Sequence, residues 1–507
     1  MKNKKNKMTI IALLLVVALS FQVAAMAHSV DDLPRRAENS TEFVPLRQAA
    51  YEQGATVQWD GANRLVTITG ASGSFTITVP VEAAGGFIEE GTSWMPLEYV
   101  IGLFDVSASE EPADEPVDDE AAALAAFIVA LVDAIEETES LVSERSEILT
   151  TTSTDGYVFQ SRLTVPDGDE PVPAIVIDTG TSGPNTYLMR RYIPGIGQWN
   201  YWDFWANELA NNNIAFLTSN TRGVTPSDEP PEFQNIDADG YLTYLPLNVV
   251  EDIYHMIRTV RENPRLRDAE IYLIGFSEGA VIATLFEYTH PGLVDALFLG
   301  GVPITNMYEV IQWQASGGGT MMLLGLGFET DEYGRISREA FYAGPWEVEF
   351  AGIAESFEDI DFDADGYFAI SDLLTLWETL GVPPHLYDAD VVFRAIADSD
   401  DAWLRENYPI LLTSGWFQEH FALMSNMELI PKLDLPIYIF HGTLDLNVHV
   451  RYVEELGEKL SELGRTNVTI NIFPEHNHDL NWSIAVFLGE VSEGIEAILA
   501  AIYARVG

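Results

Sequence analysis

The sequence predicts an α/β fold: a mostly parallel sheet with helices on both faces, an inserted helical cap, and a small α+β unit ahead of it. Three observations carry that expectation. From about residue 147, short apolar runs suited to buried strands alternate with helical stretches, the pattern of a parallel sheet covered on both sides. One of those runs, Ile271-Tyr272-Leu273-Ile274, passes through Gly275-Phe276-Ser277-Glu278-Gly279 into the apolar stretch Ala280 to Phe286. A Gly-x-Ser-x-Gly turn therefore joins a strand to a helix, holding the serine hydroxyl out of the sheet, with glycines where a side chain would collide with strand or helix. Between about residues 303 and 432 the alternation stops. The chain there is helical, aromatic-rich and punctuated by glycine, as a cap inserted after one strand would be.

The chain opens with Lys2, Lys4, Lys5 and Lys7, an apolar run from Ile10 to Phe21, and the small-x-small triplet Ala25-Met26-Ala27. This is the pattern of a secretory signal peptide over residues 1–27. The apolar run is short for a span of ~20 residues, which places a membrane anchor second. No cysteine is present. Export usually permits disulfides, so stability is left to the core and to metal ions. With 507 residues, 47% of them hydrophobic, the chain is long enough for two or more domains. Its formal net charge of −52 argues against nucleic acid and anionic membrane surfaces as partners. The carboxylates are spread along the chain, as on a solvated acidic surface suited to a saline or alkaline habitat.

Residues 41–106 read as the small N-terminal unit. Thr56 to Asp60 and Arg64 to Thr69 alternate as two strands across an Asp60-Gly61-Ala62-Asn63 turn, and Ser74 to Val79 is a third. The opening Phe43-Val44-Pro45-Leu46 recurs as Trp94-Met95-Pro96-Leu97. These two turns and the Val57-to-Ile68 hairpin resemble the copper amine oxidase N-terminal-like domain, a stalk module of exported bacterial proteins. The segment has no His or Cys, so no copper is assigned to it. It reads either as a surface or partner-binding module or as a passive spacer. Residues 107–120 are acidic and proline-bearing, an extended linker. Ala121 to Ile135 follows as an apolar helix opening the region 121–507.

The expected strands of that region are Glu147–Thr152, Tyr157–Val165, Ala174–Asp178, Ile214–Thr218, the strand before Ser277, Leu297–Gly301, Pro436–Phe440 and Val468–Ile472. The expected helices are Trp202–Ala210, Val249–Arg261 and a last one from about Ser483. With this order and the elbow in place, residues 147–507 resemble the α/β-hydrolase superfamily. The nearer likeness is to exported esterases and peptidase-like hydrolases with a His-Ser-Glu-Gly-Gly elbow, from which Phe276 and Ala280 depart.

The resemblance implies a Ser–acid–His order. Asp445 follows a strand in Phe440-His441-Gly442-Thr443-Leu444-Asp445, the setting of the superfamily's acid. His476 and His478 are the candidate bases, and the likeness, which places the base just before Asp-Leu, selects His478. His255, His290, His385, His420 and His449 lack this setting, and His441 reads as structural beside the acid turn. The oxyanion donors are expected from the N–H of Glu278 and from the loop Asp178-Thr179-Gly180-Thr181-Ser182-Gly183-Pro184-Asn185, where Thr181 or Gly180 serves. Thr179 stands where the family carries His. Arg222, in Asn220-Thr221-Arg222-Gly223, reads as structural. The Glu278 side chain reads either as a recogniser of a substrate cation or, preferably, as a helix N-terminal acid stabilised by the helix dipole.

The cap holds one further motif. Asp361-Phe362-Asp363-Ala364-Asp365-Gly366-Tyr367 closing at Asp372 has EF-hand spacing, with side-chain oxygens from Asp361, Asp363, Asp365 and Asp372 and a carbonyl from Tyr367. It resembles EF-hand and dockerin loops and implies a structural Ca2+; a solvated acidic turn is the alternative. No paired second loop is evident, and Asn235 to Gly240 echoes only the first half. No cofactor is expected for catalysis. The function expected is ester hydrolysis by an exported serine hydrolase acting on a small ester or acyl substrate. The alternatives are a peptidase or thioesterase of the same superfamily, or a non-catalytic calcium-dependent surface binder. The cap aromatics Trp313, Phe328, Trp346, Trp377, Trp403, Trp416 and Phe417 line an acyl pocket or, for most of them, simply pack.

Overall fold

A computed structural model describes residues 138–506 apart from 194–196, 229–232, 332–333, 347–349, 351–352, 383–387 and 483–490, together with short strands between residues 36 and 96. The leader, the acidic linker, the helix expected from Ala121 and the start expected for the last helix lie outside the described residues.

The N-terminal strands form their own unit. Thr56–Asp60, Leu65–Thr69 and Thr76–Pro80 make an antiparallel meander with Val57 opposite Ile68. Thr41–Pro45 pairs with Thr92–Pro96, so Val44 faces Met95 and the two similar Pro-containing segments lie side by side.

The second unit is built on an eight-stranded sheet. In chain order its strands are β1 (Ser146–Thr152), β2 (Val158–Thr164), β3 (Ala174–Asp178), β4 (Ile214–Ser219), β5 (Glu270–Phe276), β6 (Ala296–Gly300), β7 (Ile437–Gly442) and β8 (Val468–Phe473). Their spatial order is β1-β2-β4-β3-β5-β6-β7-β8. Only the β1–β2 and β2–β4 pairs are antiparallel; β4 to β8 run parallel. Every residue of β3 and β6 is buried, which is why these strands read as unbroken apolar runs rather than alternating ones.

Helices cover both faces. On one side lie α2 (Pro246–Val260), α3 (Glu278–Thr289) and α11 (Arg451–Glu462). Proline at the first position of α2 costs no hydrogen bond there. Val250, Ile253, Ile257 and Val260 then meet Ile175, Leu273 and Leu297 of the sheet in one core. Each such burial contributes about 1.5–3 kcal/mol. On the other side α1 (Tyr201–Asn211) packs on β4, with Trp202 against Phe216 and Trp205 against Phe276. The closing helix α12 (Glu493–Val506) lies against β7.

The segment between β6 and β7 is the predicted cap. It contains α4 (Met307–Ala315), α5 (Gly318–Gly327), α6 (Arg338–Ala343), α7 (Ile370–Leu380), α8 (Ala389–Ala397), α9 (Asp401–Asn407) and α10 (Ser414–Ala422). Most of the named aromatics are packing residues. Phe328, Trp346 and Trp377 join a cap core around Phe341, Phe357 and Phe368. Trp403, Trp416 and Phe417 pack with Tyr241, Tyr244 and Val281 of the main domain.

The expectation of an unpaired acidic loop is corrected. Tyr367–Phe368 pairs antiparallel with Ile336–Ser337, Phe368 opposite Ile336. The partner segment turns at Gly334 (φ 76°) as the acidic loop turns at Gly366 (φ 87°). Its carboxylates, Glu329, Asp331 and Glu332, do not repeat the Asp-x-Asp-x-Asp-Gly spacing of the acidic loop, and an arginine, Arg335, follows its glycine.

Candidate active site

Strand order reverses at β3. The chain leaves β3 for β4 on one side and later returns as β5 on the other. Loops at the ends of β3 and β5 thereby part to opposite faces and open a crevice, where ligands bind in open α/β sheets. Ser277 and the Asp178–Asn185 loop meet there.

Ser277 stands between β5 and α3 at φ 55° and ψ −120°, a conformation few non-glycine residues adopt. Its N–H donates to Gly300 O at 3.0 Å. The flanking glycines are required. A Cβ on Gly275 would lie 2.4 Å from the Gly279 backbone, and one on Gly279 would lie 2.0 Å from Gly180 O. The elbow and the β3 loop therefore touch backbone to backbone. Thr179 fastens them: its N–H donates to Ile274 O at 2.9 Å, and its hydroxyl donates to Gly279 O at 2.7 Å. Asn185 holds the loop's other end, its amide facing the carbonyls of Thr181 and Gly183 at 3.3 and 3.2 Å.

The loop separates its two candidate donors. Asp178 is buried, and Gly180 N–H is turned toward its carboxyl. Burial raises this carboxyl to about 7, against the Gly180 hydrogen bond. Thr181 N–H and Glu278 N–H donate to no backbone acceptor among the described residues. Glu278 is the first residue of α3, where helical geometry offers its N–H no partner.

Asp445 and His478 are brought together: His478 Nδ1 lies 2.8 Å from Asp445 Oδ2. The other carboxylate oxygen accepts the N–H groups of Asn447 and Val448, each at 2.9 Å. Burial pushes the Asp445 carboxyl up, but His478 beside it and these hydrogen bonds leave it below the usual range. Burial pushes His478 down, but Asp445 outweighs this and leaves it above an ordinary histidine. The His478 ring packs on Gly301, where a Cβ would come within 2.9 Å of Nδ1. Gly301 directly follows the Gly300 carbonyl that holds Ser277. No hydrogen bond joins Ser277 to His478 among the described residues; such contacts often tighten only when substrate binds.

The geometry also sorts the neighbouring histidines. His476 Nδ1 faces Pro474 O at 2.9 Å and its Nε2 accepts from Gly494 N–H at 3.4 Å, so both ring nitrogens are used away from Asp445. His441 is buried, with Nε2 donating to Val448 O at 3.0 Å. Arg222 is structural: it chelates Asp252 with two 2.7 Å bonds and reaches Asp155 in the β1–β2 turn at 2.5 Å. That contact holds the Asp155 carboxyl below its usual range.

The Glu278 side chain is the helix N-terminal acid expected, at the first position of α3, but it is held by more than the helix dipole. It is 1% exposed, which removes it as a solvent-facing cation recogniser. Its carboxylate accepts from Tyr244 Oη at 2.5 Å, Trp416 Nε1 at 2.7 Å and His420 Nε2 at 2.8 Å. Sequence reasoning missed all three donors. Their separation from Ser277 along the chain hides them. A glutamate opening so apolar a helix was nevertheless a sign that donors had to come from elsewhere.

In the acidic loop, Asp361, Asp363 and Asp372 converge, with one oxygen from each within 4.8 Å of the others. Asp365 is not among them. Its Oδ1 accepts its own chain's Tyr367 N–H at 2.8 Å, and Oδ2 faces Arg335 at 3.9 Å. The Tyr367 ring lies under that guanidinium, 4.0 Å from its centre. An all-oxygen donor set fits a hard cation such as Ca2+.

Strand order, parallel register and a strained serine elbow at the switch point together define an α/β-hydrolase fold. No family model matches the chain, and no curated protein matches it. Among solved structures, a thermostable carboxyl esterase from Bacillus coagulans is 14% identical, covering 71% of this chain and 99% of that one at a TM-score of 0.40. An acylaminoacyl peptidase from Pyrococcus horikoshii is 14% identical, covering 66% of this chain at a TM-score of 0.35. Dipeptidyl peptidase 4 of Porphyromonas gingivalis is 12% identical, covering 71% of this chain at a TM-score of 0.37. The chain spans only 38% and 35% of the lengths of these two peptidases.

Proposed function

We propose that this protein is an exported serine hydrolase that cleaves carboxylic esters through an acyl-enzyme on Ser277. The carrying observation is that the strained Ser277, the 2.8 Å His478–Asp445 pair and two unused N–H donors meet at one end of the sheet. Ser277 Oγ attacks the acyl carbon while His478 Nε2 takes its proton. The ester C–O bond then breaks, and the alcohol leaves with that proton. Water repeats the sequence to release the acid and restore Ser277. Asp445 keeps the Nδ1–H tautomer of His478 and stabilises the imidazolium. The N–H groups of Thr181 and Glu278 hold the oxyanion. Export rests on the leader pattern of residues 1–27, and residues 41–106 serve as a stalk toward a cell-surface partner.

A fluorophosphonate probe should label the wild type at Ser277. Ser277→Ala should abolish both labelling and hydrolysis of short p-nitrophenyl esters while leaving the melting curve nearly unchanged. Retained turnover in Ser277→Ala would move the nucleophile elsewhere. Faster cleavage of aminoacyl anilides or thioesters than of esters would shift the substrate class.

The loop closed by Asp361, Asp363 and Asp372 is proposed as a structural calcium loop that staples the cap. Ca2+ should raise the melting temperature relative to a chelator, and Asp361→Asn should remove the difference. A wild-type transition indifferent to Ca2+ would sink this assignment.

A further inference from the structure

We propose that Tyr244, and Trp416 and His420 of the cap helix α10, are positioning residues for the oxyanion hole, so that the cap governs the chemical step as well as enclosing substrate. This inference rests on the hydrolase reading above. It starts from the contrast between the two ends of Glu278. The backbone N–H is a donor toward the proposed oxyanion, while the side chain is a buried acceptor saturated by three donors. Trp416 Nε1 and His420 Nε2 both reach Oε1, at 2.7 and 2.8 Å, and Tyr244 Oη reaches Oε2 at 2.5 Å.

Glu278, Trp416 and His420 are each 1% exposed, and Tyr244 is 6% exposed. Burial at this level shields these bonds from bulk solvent, and a low-dielectric setting strengthens each of them. The indole and imidazole rings pack against each other at a tilt, with centroids 4.2 Å apart and planes at 55°, which restrains their donors relative to each other. His420 Nδ1 has no partner among the described residues, so the ring is anchored through the Glu278 bond.

Tyr244 joins the two halves of the hole. Its hydroxyl donates to Glu278 and lies 3.4 Å from Thr181 O, the carbonyl of the other residue assigned an oxyanion N–H. Tyr244 thus touches both donor residues, one on each side of the crevice. A side chain held at both oxygens restrains rotation of its own backbone. The Ser277–Glu278 peptide, already strained at Ser277, is where that restraint acts. Donors aimed in advance at the developing charge are what make an oxyanion hole effective.

The test uses the full-length protein and Trp416→Phe, Tyr244→Phe, His420→Ala and His420→Gln. The two Phe variants each delete one donor and keep the ring. The Gln variant restores an N–H near the position of Nε2. Wild-type fluorophosphonate labelling at Ser277 is measured alongside. Trp416→Phe and His420→Ala should lower kcat by about tenfold or more with KM within about twofold. They should weaken inhibition by a trifluoromethyl ketone, whose adduct places an oxyanion in the hole, in parallel with kcat. His420→Gln should recover most of both losses.

A merely structural role predicts lower melting temperatures with kcat and ketone inhibition unmoved in the folded fraction, and that result would overturn the proposal. If His420→Ala fails to fold, Trp416→Phe and Tyr244→Phe decide the matter. A labelled wild type with unchanged variants overturns this inference alone. An unlabelled wild type overturns the hydrolase assignment and this inference with it.

Discussion

His478 sets the pH at which the proposed chemistry can run. As a base it must be unprotonated, and Asp445 at 2.8 Å holds its pKa above the ordinary 6.5 despite burial. Protonation below that raised value removes the base. kcat/KM should therefore fall tenfold per pH unit on an acid limb centred above 6.5. Asp445→Asn removes the counter-charge, so the limb should move to lower pH while the plateau drops by about 10⁴. A limb that stays in place in Asp445→Asn would show that another group titrates. At this scale the sequence was informative wherever a residue sits in a local pattern. Ser277 lies in a strand–turn–helix motif, Asp445 closes a strand, and His478 precedes Asp479-Leu480. Tyr244 and His420 lie in no such pattern, and only the convergence on Glu278 of the turn before α2 and the distant cap helix α10 gives them their place.

The junction of elbow and β3 loop is where element-scale geometry is least forgiving. Gly279 faces Gly180 O so closely that a methyl group would sit 2.0 Å from it. Both partners are backbone, so neither can swing aside. Gly279→Ala should displace the loop carrying Thr181, cut kcat by about 10²-fold or more and lower stability by about 1–3 kcal/mol through overpacking. Steady-state kinetics with a thermal melt check this. Wild-type kcat in a folded Gly279→Ala protein would mean that the loop is not part of the hole. Thr179 illustrates how much of such a junction a sequence conceals. It was visible only as a departure from the histidine of the resembling family, yet its hydroxyl bonds across to Gly279 O and clamps loop to elbow. The acidic loop is a parallel case. Its carboxylate spacing was legible, but its pairing through Phe368 to Ile336 was not, because a two-residue strand leaves no periodicity to read.

At the scale of the whole chain, charge is the dominant physical fact. Lys and Arg number 26 against 78 Asp and Glu, so most carboxylates have no cation to pair with. Arginines that are buried, such as Arg162 with Asp203 and Arg222 with Asp155 and Asp252, are already committed to internal ion pairs. They do not neutralise the surface. The excess negative charge repels itself more strongly in the compact state than in the expanded unfolded chain. Added salt shortens the reach of that repulsion from about 30 Å at 0.01 M to about 3 Å at 1 M ionic strength. Salt also weakens exposed pairs such as Arg145–Asp167, whose Asp side chain is 76% exposed, but such pairs contribute only about 0–1 kcal/mol. Repulsion therefore wins, and the melting temperature should rise steadily from low salt to 1 M NaCl. The comparison is best made with chelator present throughout, so that the acidic loop of the cap does not contribute, and against an uncharged osmolyte at matched osmolality. A melting temperature that stays flat or falls with NaCl would mean that the carboxylates are neutralised within the fold, contrary to a solvated acidic surface.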